Sequence, residues 1–270
     1  MIDSHMHLWS IGRNGCAWPG PDLPAIHRDF TLDDAHHVAA PAGVEGVVLV
    51  QSQPNDEDTD FLVGLAARDD FVRAVVGWAD LLAPSAPSRI DALATHPKLR
   101  GLRPMLQSLP DGWIADPALD PAVAAMIDHD LAFDALVFTH HLGDLAAFAR
   151  RHPALRIVID HGAKPPIASG GMDDWRKAIA DLAALPQIHC KLSGLLTEAG
   201  DRRSDEALRP YVAHMLDCFG PKRLMWGSDW PVLTLAGDYR AWLEQARSLA
   251  GAEDIFGANA ARFYGWSARS

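Results

Sequence analysis

Apolar positions along the chain alternate between two periods. Short continuous runs of aliphatic residues recur, as in Gly46-Val47-Val48-Leu49-Val50. Such runs suit strands buried on both faces of a parallel sheet. Between them, apolar residues recur at helical spacing, as in Phe61, Leu62, Leu65 and Ala66, or Trp175, Ile179, Leu182 and Leu185. The pattern predicts strands over 1–9, 46–51, 72–78, 99–106, 135–138, 155–159, 188–192 and 224–226. The first helix is expected to start at Thr31, with an acidic first turn, and His36 and His37 on it read as surface residues. Pro210 is expected in the first turn of the helix that carries Leu208, Val212, Met215 and Phe219. The last amphipathic helix carries Tyr239, Trp242, Leu243 and Ala246. Eight strands alternating with helical patterns predict an α/β fold, a closed (β/α)8 TIM barrel over 1–270 as one domain. The other arrangement, an open doubly wound sheet, gains nothing from the chain, which has no Gly-x-Gly-x-x-Gly after a strand.

In such barrels the chemistry gathers where the strands end. His5 and His7 stand two apart on the first strand and therefore face the same way. That presentation suits a metal ion or two donors aimed at one substrate oxygen. The other strand ends supply Gln51, Trp78, Arg103, His140 with His141, His161, Ser193, and Asp229 followed by Trp230. Asp229 can act as general base for a water or ligate a metal; the plainer role is to fix a loop. Arg103, inside an apolar strand, either pairs with an internal acid or awaits an anionic or polyhydroxy substrate. Of His140 and His141 only one can face inward, and the reading takes His140. Trp18, Trp78 and Trp230 are candidates for an apolar or sugar-stacking wall. The stretch 10–30, rich in Gly, Pro and Trp, is long for a loop in a compact domain and is expected to be functional.

Composition narrows the partners. The formal net charge of −11 argues against nucleic acid and anionic membranes. No apolar run approaches the roughly 20 residues that span a bilayer, and the start of the chain has no signal-peptide pattern. The three cysteines, Cys16, Cys190 and Cys218, form no C-x-x-C, which suits a reducing cytoplasm.

Five motifs taken together carry a family resemblance. They are Ile2-Asp3-Ser4-His5-Met6-His7, Leu99-Arg100-Gly101-Leu102-Arg103, Asp160-His161-Gly162-Ala163-Lys164-Pro165, Lys191-Leu192-Ser193-Gly194-Leu195 and Gly227-Ser228-Asp229-Trp230-Pro231. With them the chain resembles the amidohydrolase superfamily, and more narrowly its sugar-lactonase branch, L-fuconolactonase-like, with 2-pyrone-4,6-dicarboxylate lactonases further off. The resemblance implies a distorted barrel that opens a small-molecule sugar lactone. It implies that Asp229 and His161 are catalytic. It also implies that His5, His7, His161 and Asp229 hold one divalent metal, zinc first, or that the imidazoles polarise the carbonyl without one. Arg103, Gln51, Trp78, His140, Ser193 and Trp230 would then bind substrate. Strand four offers Arg103-Pro104 where binuclear relatives place a bridging Lys or Glu, which argues against two metals. A homodimer is compatible with the sequence. The competing readings are a metal-dependent decarboxylase of the same superfamily and a catalytically silent barrel that binds a sugar acid.

Overall fold

The computed structural model describes residues 1–266; positions 267–270 of the expected domain lie outside the described residues. In chain order the elements are β1 (Ile2–Met6), α1 (Leu32–Ala39), β2 (Gly46–Val50), α2 (Asp56–Ala66), β3 (Val72–Gly77), α3 (Ala86–Ala94), β4 (Leu99–Leu102), α4 (Asp120–Asp128), β5 (Ala132–Ala135) and α5 (Leu142–Arg151). They continue with β6 (Ile157–Ile159), α6 (Asp173–Ala183), β7 (Ile188–Leu192), the short α7 (Leu195–Glu198), α8 (Asp205–Phe219), β8 (Leu224–Trp226), α9 (Tyr239–Ala250) and α10 (Ala258–Tyr264). All eight strands pair in parallel in the order β1 to β8. A bridge from Met6 to Trp230 closes the ring. The fold is a (β/α)8 barrel.

Closure rests on named bonds between the first and last strands. The Asp3 carboxylate accepts from the backbone N–H of His5 at 3.0 Å, from that of Ser228 at 2.9 Å and from the Tyr239 hydroxyl at 3.0 Å. The Asp229 N–H donates to the His5 carbonyl, and the His7 N–H to the Trp230 carbonyl, each at 2.8 Å. Two apolar layers result. Residues facing outward from the strands pack under the helices. An inner set, with Val48, Val50, Val76, Val158 and Met225, is covered from below by Phe263 and Tyr264 of α10.

Helix boundaries follow local chemistry. Thr31 and Asp34 form a reciprocal cap at the start of α1. His36 and His37 lie toward the surface, as expected, with His36 bonded to Asp69 at 2.7 Å. Four expectations need correction. β4 stops at Leu102 and not at 106, so Arg103 lies just past the strand, before Pro104. β5 lies three residues earlier than 135–138, because Asp134 interrupts the apolar run yet points into the barrel. Pro210 is six residues into α8, past the first turn, whose cap is Ser204. The chain also adds α10 after the helix read as the last.

Candidate active site

The strand ends open on a cavity of about 590 Å³. At its floor four side chains converge. His5, on β1, and His7, just past its end, point the same way as the two-residue period of extended chain requires, and their Nε2 atoms lie 3.1 Å apart. Oδ1 of Asp229, just past β8, lies 3.3 Å from His7 Nε2, 3.7 Å from His5 Nε2 and 3.9 Å from His161 Nε2. His161 comes from the turn after β6.

The hydrogen bonds behind the imidazoles define what they offer. His7 Nδ1 lies 2.7 Å from the Val50 carbonyl, which can only accept, so the proton sits on Nδ1 and Nε2 presents a lone pair. His161 Nδ1 meets the Ser193 hydroxyl at 2.8 Å, which leaves Nε2 turned to Asp229. His5 Nδ1 faces Asp160 Oδ1 at 3.3 Å and Lys191 Nζ at 3.2 Å. Burial pulls the His5 imidazole well below its usual range, against the attraction of Asp160. Burial likewise brings His161 down to about 4, against Asp229 and Asp160. Both are free bases at neutral pH. Burial would raise the Asp229 carboxyl, but His161, His7 and His5 outweigh it and hold Asp229 below the usual carboxylate range.

This donor set fits a divalent ion. Two nitrogens bound to one zinc at about 2.0–2.1 Å each lie roughly 3–3.4 Å apart, close to the His5–His7 separation. His5, His161 and Asp229 also each offer one ligand atom within 4.8 Å of the others. A second cluster, Asp111 with His140 and His141, is less suitable. His141 Nδ1 accepts from the Phe138 N–H at 3.1 Å, so its Nε2 carries the proton and points it at Asp111.

The predicted residues divide into three groups. His7, His161, Asp229 and Arg103 wall the cavity, and His5 lies directly beneath. Ser193 and Gln51 act from behind: Ser193 orients His161, and the Gln51 amide donates to the Arg103 carbonyl at 2.6 Å. Trp78, Trp230 and His140 are not on the cavity wall. β3 stops at Gly77, and the Trp78 backbone is instead bonded to Thr59. The Trp230 ring packs edge-on against Phe30 at 5.0 Å. His140 is the exposed member of its pair and His141 the buried one, which reverses the expected orientation. Arg103 has found the internal acid: it meets Asp160 Oδ2 at 3.2 Å and also donates to the Gln51 carbonyl.

Sequence reasoning missed Asp134, Lys191 and Tyr264, all fully buried below the site. For Asp134 and Lys191 the available signal was an ionisable residue inside a strand; Tyr264, on α10, gave none. Sequence reasoning also missed Gln107 and Glu198, whereas Lys164, read in the sequence as either a contact for a substrate carboxylate or a solvent-facing residue, lies on the cavity wall. Trp18 was in the right place. It and Leu235 are the exposed large apolar side chains among the described residues, 38% and 39% accessible, and both line the cavity.

Known proteins place this geometry in context. An amidohydrolase family model matches residues 2–266. L-fucono-1,5-lactonase from Burkholderia ambifaria is 53% identical over 97% of this chain and 94% of its own length. A second L-fucono-1,5-lactonase, from Burkholderia multivorans, is 38% identical over 97% and 95%. An amidohydrolase crystal structure from Burkholderia multivorans, with bound zinc, superposes with a TM-score of 0.92 at 36% identity, covering 98% of this chain and 99% of that one. The full-length match, the closed barrel and the four converging side chains lead to one conclusion: the chain belongs to the amidohydrolase family.

Proposed function

We propose that the protein is a hydrolase that opens a sugar-acid lactone of the L-fucono-1,5-lactone type. The observation that carries this reading is Asp229 Oδ1 facing three imidazole nitrogens at the floor of the cavity. The two L-fucono-1,5-lactonases, at 53% and 38% identity, supply the substrate class.

Asp229 is ionised at neutral pH and can take a proton from a water held above it. The water oxygen bonds to the lactone carbonyl carbon, and the carbonyl electron pair moves onto its oxygen. Collapse of that oxyanion breaks the bond to the ring oxygen. The proton on Asp229 passes to the departing alkoxide, leaving a hydroxy acid. His5, His7, His161 and Asp229 would hold one divalent ion, zinc on the precedent of the related structure. Such an ion polarises a carbonyl and lowers the pKa of a bound water.

The wall suits a polyhydroxy ring. Gln107 carries a buried Oε1 without a partner and is an acceptor for a sugar hydroxyl. Lys164 and Glu198, 3.6 Å apart, offer a donor and an acceptor. Trp18 and Leu235 present apolar surface to the C–H face of the ring. No helix among the described residues is long and apolar enough to cross a membrane. The three free cysteines support a cytoplasmic enzyme.

Acid release over a panel of sugar-acid lactones tests the reading. L-fucono-1,5-lactone is expected to open far faster than its spontaneous rate. In Asp229→Asn turnover should fall about 10²–10⁴-fold with an unchanged circular dichroism spectrum. Near-normal turnover in that variant removes Asp229 from the role, and silence of the wild type across the panel removes the lactonase.

A further inference from the structure

Below the site, the barrel interior holds charges for which the hydrolysis has no direct use. Lys191 of β7, Asp134 of β5 and Asp160 after β6 are each inaccessible to solvent. Lys191 Nζ lies 2.6 Å from Asp134 Oδ2 and 3.0 Å from Asp160 Oδ1. Asp160 then divides its oxygens: Oδ1 faces His5 Nδ1 at 3.3 Å, and Oδ2 faces Arg103 at 3.2 Å. From underneath, the Tyr264 hydroxyl of α10 donates to Asp134 Oδ2 at 2.6 Å.

Ionised groups here are costly. Desolvation penalises each, and a well-packed apolar set is often as stable as a buried ion pair. The neighbouring inner positions, Val76 and Val158 among them, are in fact apolar. Two carboxylates, one ammonium and one guanidinium in this place call for a role beyond filling space. The geometry supplies one. A single carboxylate touches both a histidine of the candidate metal site and the arginine of the cavity wall. A carboxylate bonded to the far nitrogen of a metal-binding imidazole orients that ring.

We infer that Lys191 is a positioning residue. By bridging Asp134 and Asp160, it holds the Asp160 carboxylate in the one orientation that meets His5 with one oxygen and Arg103 with the other. Tyr264 fixes the far end of the same bridge by holding Asp134. Without the ammonium, two carboxylates face each other in an apolar interior with only Arg103 to compensate, and Asp160 is free to turn from His5. The catalytic part of this inference rests on the lactonase reading; the geometric part does not.

Three variants test it. Lys191→Met keeps the length and removes the charge, Lys191→Arg restores the charge, and Tyr264→Phe leaves every charge and deletes one hydroxyl. Each is followed by zinc competition against a chromophoric chelator, by kcat and KM on L-fucono-1,5-lactone, and by crystal structure. In Lys191→Met the expected results are zinc binding weaker by about 10–100-fold, a comparable loss in kcat with KM nearly unchanged, and a His5 ring turned away from Asp160. Lys191→Arg should recover part of each. A folded Lys191→Met with His5 and Arg103 unmoved and wild-type zinc affinity overturns the inference, as does a loss of activity that merely tracks loss of folded protein. Should Lys191→Met not fold, Tyr264→Phe decides: zinc binding weaker by roughly 2- to 10-fold with a displaced Asp134 supports the bridge, and wild-type values overturn it. The crystal structures decide even where the wild type takes up no zinc. Failure to open any lactone would remove the proposed reaction without touching this decision.

Discussion

His161 and Asp229, two of the four side chains at the cavity floor, have φ values of 55° and 60°. This is the left-handed region, uncommon for residues other than glycine and costly in free energy. The turns that impose it also aim His161 Nε2 and Asp229 Oδ1 at each other across the barrel. Gly194 makes room for this. Its own φ is +64°, and a Cβ there would lie 2.6 Å from both Cγ and Nδ1 of His161. Gly194→Ala therefore has two penalties: about 1 kcal/mol or more for the backbone conformation, and displacement of the imidazole. The expected outcome is a kcat lower by about 10–100-fold, on the scale of losing a ligand-orienting contact, with a modest fall in melting temperature. Steady-state kinetics and a thermal melt check both, and wild-type kcat would show that the His161 ring tolerates the shift. Neither the strain nor the steric demand could be read from Ser193-Gly194 in the sequence, because they depend on β6 and β7 lying side by side.

Among the elements, most strands were legible because an apolar run between turn residues has few other readings. The exceptions are instructive. β5 was misplaced because Asp134 breaks the run, and a carboxylate inside a barrel makes sense only once Lys191 is seen on β7, two strands away. α10 was passed over because Ala258–Tyr264 is too short for a helical period to stand out, and its value lies in plugging the barrel. Next to this plug His189 of β7 packs against Phe263, with rings 4.7 Å apart and Nδ1 without a partner. Burial brings this imidazole down to about 4 from its usual 6.5, against a backbone hydrogen bond at Gln187. Between those two pH values the unfolded chain takes up a proton that the folded chain refuses. Stability therefore falls as pH drops from 6.5 toward 4, and nothing is lost above 6.5. The cost at the acid end is about 2 kcal/mol after discounting for partial exposure. Urea unfolding of His189→Phe at pH 7 and pH 4.5 should show a smaller acid loss than wild type. An equal loss would assign the acid sensitivity elsewhere.

For the molecule as a whole, the fold and the converging quartet were legible together. His5, His7, His161 and Asp229 are read from strand ends, and closure of the sheet brings the ends together. The support beneath them was not, since it is assembled from β5, β6, β7 and α10, none of which signals its partner in sequence. A site made of separate strands should also bind metal only in the folded state. Zinc at about 100 times its dissociation constant would then add about 2.7 kcal/mol to stability, a rise of about 5–10 °C in melting temperature for a chain of this size. Differential scanning calorimetry with zinc and with a chelator measures this, and coincident melts would exclude a tight site at the cavity floor.

The bond from the Asp229 N–H to the His5 carbonyl joins residues at nearly opposite ends of the chain. Closing a contact of such sequence separation carries a loop-closure entropy that local contacts do not. The Asp229 carboxylate and the imidazoles it faces therefore meet only where the last seam of the barrel closes. A collapsed state with every helix in place and that seam open would have the protein's secondary structure without its assembled site. Turnover thus reports completed assembly, where circular dichroism reports only its parts.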